Sequence, residues 1–219
     1  MNFPKIKYKN SYRPALMADL RKSIDAYFAE HKTSRYANRR MKIKMAAIFL
    51  LFTGSYALLL SAGHSLAAYL SGMCLFGFSS ALIAFNIGHD ASHGALSQKK
   101  WVNKLFSWSF NLVGVNSYIW NLKHNISHHA YTNMPGLDMD IQQVSIARLV
   151  PTMPLRKMHR YQHIYVPLLY PFASLFLVFV KDFMLFSDTQ FGKKHPLREY
   201  IVLIVTKLFY FSYAGEQLL

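Results

Sequence analysis

The chain of 219 residues has one cysteine, 10 acidic residues against 25 basic ones, and not a single charge between Met45 and Gly88. Each scarcity excludes something. A lone Cys74 rules out an internal disulfide, and its place in an apolar run predicts that it packs as a small hydrophobe. Glutamate occurs only at positions 30, 199 and 216. No His-Glu-x-x-His is therefore present, so a zinc metalloprotease would lack its general base. The Glu-x-x-His pairs of a ferritin-like di-iron bundle are missing too. No long apolar run precedes Met45, which argues against a cleaved signal peptide. Internal repeats, low-complexity tracts and flexible linkers are also lacking, so beyond a basic arm over 1–44 one domain over 45–219 is the simplest division.

What is present is an unusual pairing of charge and hydropathy. The formal charge is +15, hydrophobic residues make up 53%, and mean hydropathy is +0.12. A soluble domain rarely combines these, and here they are segregated along the chain. Twelve cations from Lys5 to Lys44 precede the charge-free stretch. A nucleic-acid-binding arm would need a solvated domain behind it, so a nucleic-acid partner is not expected. A bilayer crossing takes about 20 apolar residues. Met45–Leu60 and Leu66–Ile87 therefore read as a transmembrane hairpin turning at Ser61–Ser65, the arrangement that satisfies the backbone of so long an apolar segment. Trp101–Trp120 reads as an interfacial or re-entrant helix. Ile164–Val180 forms a third apolar run. Tyr200–Ala214 begins a fourth, in which Lys207 must snorkel or meet a partner. Cationic flanks lie on the cytoplasmic side, which places the N-terminus and the stretch His89–His163 there. The loop Lys181–Glu199, with four cations of its own, fits that topology less well. The fold class is thus an all-α membrane protein, built of transmembrane helical hairpins with a helical, histidine-rich region at the cytoplasmic face.

The histidines carry the chemistry. His89-Asp90-Ala91-Ser92-His93 places two imidazoles at i and i+4, on one helical face. About thirty residues on, His124-Asn125-Ile126-Ser127-His128-His129 repeats the spacing and adds a third ring, rotated towards a second ion if the segment is α-helical. A lone pair would read as ordinary interfacial histidines, but five imidazoles beside a membrane span exceed what packing requires. Nitrogen ligation suits Fe, Zn, Cu or Ni, and spacing does not choose among them. A metal transporter would carry its ligands inside the spans, whereas these lie just outside.

These two segments resemble the HxxxH and HxxxHH boxes of the membrane-bound, histidine-box fatty acid desaturases. The flanks resemble the bacterial acyl-CoA or acyl-lipid subgroup related to front-end desaturases: Asn86-Ile87-Gly88, Trp120-Asn121-Leu122-Lys123, Tyr131-Thr132-Asn133, and then Gly136, Asp138 and Asp140. His159-Arg160-Tyr161-Gln162-His163-Ile164-Tyr165 resembles the lead into that family's next span. The resemblance implies an oxidoreductase that inserts a cis double bond into a fatty acyl chain with O2 and two electrons, at two non-haem iron ions. By position, it makes His89, His93, His124, His128 and His129 iron ligands. Asp90, Asn125 and Asp138 become candidates for orienting those rings, with plain surface or capping roles as the alternative. Tyr118 and Trp120 become candidate substrate contacts, whereas Trp101 and Trp108 read as interface anchors.

The implied partners are a fatty acyl-CoA or acyl-lipid, O2, membrane lipids and a separate electron donor of ferredoxin, flavodoxin or cytochrome b5 type, since no haem-binding module precedes the spans. The implied location is a bacterial inner membrane. The family's third box, commonly Gln-x-x-His-His, is not found by Leu219. The expectation is a longer protein or an interrupted reading frame, with third-box iron ligands missing and the 219 residues alone inactive. Alternatives on the same scaffold are a lipid or carotenoid hydroxylase or ketolase, or an inactive desaturase remnant. His31, His64 and His195 read as solvated. His159 and His163 share a helical face, but the resemblance does not make them a ligand box.

Overall fold

A computed structural model describes residues 14–141, 146–187 and 195–215, and among them the chain is helical with no strand. Helix α1, Pro14–Glu30, lies ahead of the spans and exposes Leu16, Leu20, Ile24 and Tyr27. Helix α2, Arg39–Ser61, starts where the Asn38 side chain accepts the Met41 N–H at 2.9 Å. An Asn just outside a helix does this well, because it satisfies an otherwise orphaned donor. Arg39, Arg40, Lys42 and Lys44 thus occupy the first turns of a helix. The preceding residues 1–13 lie outside the described part.

Helix α3, Leu66–Ser92, follows a turn in which Ser65 accepts the Ala68 N–H. The two helices pack as the expected hairpin. Met45, Ile48 and Phe52 of α2 meet Ile83 and Ile87 of α3 in one buried cluster, and Ser55 and Ser79 approach to 3.5 Å between hydroxyls. Helix α7, Lys157–Ser187, is the third long apolar element and runs through Pro167 and Pro171. Among the described residues these three helices are long and apolar enough to cross a membrane. Their outward faces expose Leu50, Phe85 and Leu168, each by two thirds or more. Continuous apolar exposure on that scale suits lipid and not water, and the protein is a membrane protein. Cys74 is exposed on this surface and is not packed inside.

The segment 101–120 is not one helix but three short ones: α4 Lys100–Ser107, α5 Ser109–Leu112 and α6 Ser117–Asn121. Its asparagines are turned to the backbone, two of them across the break between α5 and α6. Asn103 accepts the N–H groups of Leu96 and Ser97, Asn111 bonds Ser117, and Asn116 caps Ile119. The fourth apolar run does form a helix, α8, Leu197–Gly215. It is not among the three span-like helices, since Arg198, Glu199 and Lys207 dilute its apolar character. Lys181 is not in a solvated loop either, because α7 continues past it and buries both Lys181 and Asp182.

Lys207 meets a partner and does not snorkel. Its ammonium lies 2.9 Å from Asp182 Oδ2 and donates to the Gly114 carbonyl at 2.6 Å and the Val178 carbonyl at 2.5 Å. Asp182 also accepts the Asn116 N–H at 2.8 Å. One buried cation thereby ties α8 to α7 and to the turn ahead of α6. Gly114 is required at that turn: its φ is +80°, and a Cβ there would lie 2.9 Å from the Tyr210 ring.

Candidate metal centre

Both histidine segments are set by π turns, which the apolar pattern does not reveal: the first follows one directly, and the second lies largely within one. In α3 the turn Ile83–Gly88 ends with the His89 N–H bonded to the Ala84 carbonyl, five residues back. After α6 the turn Leu122–His128 ends likewise, with the His129 N–H on the His124 carbonyl. Such inserted turns change the phase of the side chains that follow, and they are frequent at functional sites.

The phase change decides which rings meet. A plain α-helix would pair His124 with His128 and turn His129 away. Here His129 Nε2 lies 3.1 Å from His124 Nε2. His89 and His93 are neighbours at 4.6 Å between ring centroids, His89 and His124 at 5.1 Å, and His93 and His129 at 4.7 Å. Each of His89, His93 and His124 offers a ligand atom within 4.8 Å of the others. His128 stacks on His124 at 5.6 Å, but its Nδ1 turns to Asp138 at 3.1 Å.

Aromatic packing holds the two segments together. A Cβ on Gly88 would lie 2.9 Å from the Phe110 ring, so only glycine lets that ring rest on the backbone just before His89. Phe110 stacks on Trp120 at 4.5 Å, and Trp120 leans on His124 at 5.0 Å. Trp120 therefore packs against the ring cluster, with Lys123 over its face at 5.3 Å. Asn125 donates to the Ser92 carbonyl at 2.9 Å, linking the segments by backbone and not by an imidazole. Asp90 lies 3.4 Å from its neighbour His89 Nδ1.

Asp138 is fully buried and accepts the backbone N–H groups of Asn133 and Asp140, each at 2.8 Å. Burial opposes its charge. The two backbone donors and then His128 outweigh that cost and hold its carboxyl below the usual range. It is a fixed anion behind His128, the usual way a ligand imidazole is oriented. Asp140 pairs with the buried Lys123 and also approaches His128 Nδ1 at 3.5 Å. Ser127 clamps the same turn, donating to the Leu137 carbonyl and accepting the Met139 N–H. The roles of Ser127, Lys123 and Asp140 were not assigned from sequence. The Asp-x-Asp spacing after the second box is the signal that points to them.

Electrostatics favour the neutral form of two of the rings. Burial first, then His129 and His89, push His124 down to about 4. His93 is also lowered, by burial and by His89 and His129, against the pull of Asp90. Neutral imidazole is the form that binds metal. An ion bonded at about 2 Å to two imidazoles needs their nitrogens about as close as His124 and His129 stand, so the donor set fits a nitrogen-ligated metal.

Tyr118 lines a cavity of about 630 Å³ with Ala91, Ser92 and Asn121, behind the first segment. Its hydroxyl lies 3.1 Å from Nδ1 of His195. His195 is buried against Phe186 and is not solvated as expected, because its ring packs on Tyr118 of α6. His159 is also buried, and its Nδ1 accepts the Arg156 N–H at 3.1 Å, which gives it a structural use. His31, His64 and His163 are exposed.

The fatty acid desaturase family pattern matches residues 64–217, a stretch that contains all five clustered histidines. This chain belongs to the fatty acid desaturase family. It is similar to the sn-1 linoleoyl-lipid 6-desaturase of Arthrospira platensis, 34% identical over 158 residues, which are 72% of this chain and 43% of that protein. The enzyme of the same name from Synechocystis sp. is 33% identical over 80% of this chain and 48% of its own length. The acyl-lipid (8-3)-desaturase of Physcomitrium patens is 27% identical over 95% of this chain and 45% of its own. The chain thus spans a little under half the length of these relatives. No solved structure matches. Desaturases of this family generally use two iron ions, an acyl substrate, O2 and an electron donor.

Proposed function

We propose that this protein acts as an acyl-lipid desaturase, with His89, His93, His124, His128 and His129 contributing to the ligation of its non-haem iron. The convergence of five imidazoles from two helices carries this reading, with His124 and His129 nitrogens 3.1 Å apart. Bound iron supplies the oxidant that O2 and two electrons generate for removal of hydrogen from an unactivated acyl C–H bond. The chain's own residues position and shield. Asp138 fixes the ring of His128, and Asp140, paired to Lys123, is held beside it. Asn125 sets the spacing between the two boxes. Phe110 and Trp120 exclude water from one side of the cluster, and Tyr118 lies along the cavity behind it.

Relatives named for acyl-lipid substrates favour a lipid-linked acyl chain over an acyl-CoA. The basic flanks of the α2–α3 hairpin favour a cytoplasmic centre in a bacterial inner membrane, with a separate electron donor docking from that side. A hydroxylase or ketolase shares such a scaffold, but every relative described above is named a desaturase. The test is a chimera in which residues 64–217 replace the matching segment of the Arthrospira enzyme. Unsaturated product in a desaturase-null host, abolished by His128→Ala with membrane insertion unchanged, is expected. Hydroxylated or keto product would replace the reading with its alternative, and no product from a folded, iron-loaded chimera would contradict it.

A further inference from the structure

A cavity at the start of α7 shares no lining residue with the histidine cluster. This cavity, of about 790 Å³, is lined by Arg148, Arg156, Lys157 and Arg160, with Leu155 and Tyr161 at its edge. No aspartate or glutamate occurs from Ile141 through Lys181, and among the described residues none of the four cations forms an ion pair. The box region supplies no compensation, since Asp138 and Asp140 are engaged by His128 and Lys123.

The cradle is built and not a random cluster. Gln162 accepts the Arg148 N–H at 3.0 Å, and Arg148 Nε donates to the Met153 carbonyl at 2.9 Å, folding the loop back on the helix start. Buried His159 accepts the Arg156 N–H and fixes the next corner. The location selects the ligand. Lys157 begins a helix long and apolar enough to span a bilayer, so the cations lie at its membrane–water boundary. Leu155, Tyr161 and Ile164 are more than half exposed beside them. Guanidinium groups match phosphate oxygens in pairs, and basic pockets at the ends of spans take anionic headgroups. A soluble anion would use the cations but leave the apolar rim unused.

We propose that this cavity binds the phosphate headgroup of an anionic phospholipid, whose acyl chains lie along the exposed apolar face of α7. The site uses no iron-box residue and does not depend on the reaction the protein catalyses.

The full 219-residue chain is reconstituted into phosphatidylcholine vesicles carrying a minority of spin-labelled phosphatidylglycerol or, in parallel, spin-labelled phosphatidylcholine. Electron paramagnetic resonance then reads the protein-immobilised fraction of each label. Preference for phosphatidylglycerol is expected. It is lost in the Arg156→Gln, Lys157→Gln, Arg160→Gln variant and kept in an Arg21→Gln, Lys22→Gln control. If circular dichroism shows the triple variant misfolded, Arg160→Gln alone is read, with a loss of about fivefold expected for one charge. Equal immobilisation of both lipids would overturn the proposal, as would preference surviving in a folded triple variant or in Arg160→Gln. Displacement of the labelled lipid by inorganic phosphate at the same concentration would reassign the cavity to small anions.

Discussion

His124 and His129 present their Nε2 atoms 3.1 Å apart although they are five residues apart in sequence, because a π turn lies between them. On an unbroken α-helix the partner of His124 would have been His128. The turn releases His128 towards Asp138 and gives the first box a facing pair of rings.

His124→Ala and His129→Ala should therefore weaken iron retention alike. Each should cost more than the roughly 10–100-fold typical of losing an outer partner. Iron titration of the purified variants reads this directly, and a His129→Ala protein with unchanged affinity would show that the short contact has no part in ligation.

Asp138→Asn keeps the shape and removes the charge behind His128. Iron affinity should fall by roughly 10–100-fold, with helical content unchanged. Asp138→Ala should also lower stability, by about 1–3 kcal/mol for each backbone donor left unsatisfied at Asn133 and Asp140. Thermal melts of the two variants separate the effects.

The two boxes and the hairpin were legible because each rests on local spacing. His89 and His93 fall on one face whatever lies around them, and a charge-free stretch of that length has few ways to satisfy its backbone. The π turns were not legible, since one inserted residue leaves an apolar run looking apolar. The break between α5 and α6 has Asn111 and Asn116 turned inward to bond backbone, a choice that tertiary packing makes. His195 looked like a surface residue, and for Lys207 a partner was one of two readings with none named, because their partners, Tyr118 and Asp182, lie 77 and 25 positions away in sequence.

Lys207→Met should be strongly destabilising, by about 3–5 kcal/mol, because it leaves Asp182 charged and buried without its partner. Adding Asp182→Leu should recover much of that loss. Unfolding in mild detergent measures both, and a double variant no better than the single would show that the pair is not the origin of the effect.

In a Cys74→Ser background, cysteines placed at Ser65 and Ser97 should label from opposite sides of sealed vesicles, with Ser97 on the side of the N-terminal arm. Labelling of both from one side would contradict the α2–α3 hairpin as a membrane-crossing unit.

The account rests most heavily on the clustered imidazoles holding iron together. X-ray absorption at the iron edge, on the purified 219-residue chain loaded with Fe(II) without oxygen, tests this most directly. The account predicts a nitrogen shell at about 2 Å. A shell without imidazole scattering, or one that His93→Ala and His124→Ala leave unchanged, would contradict it.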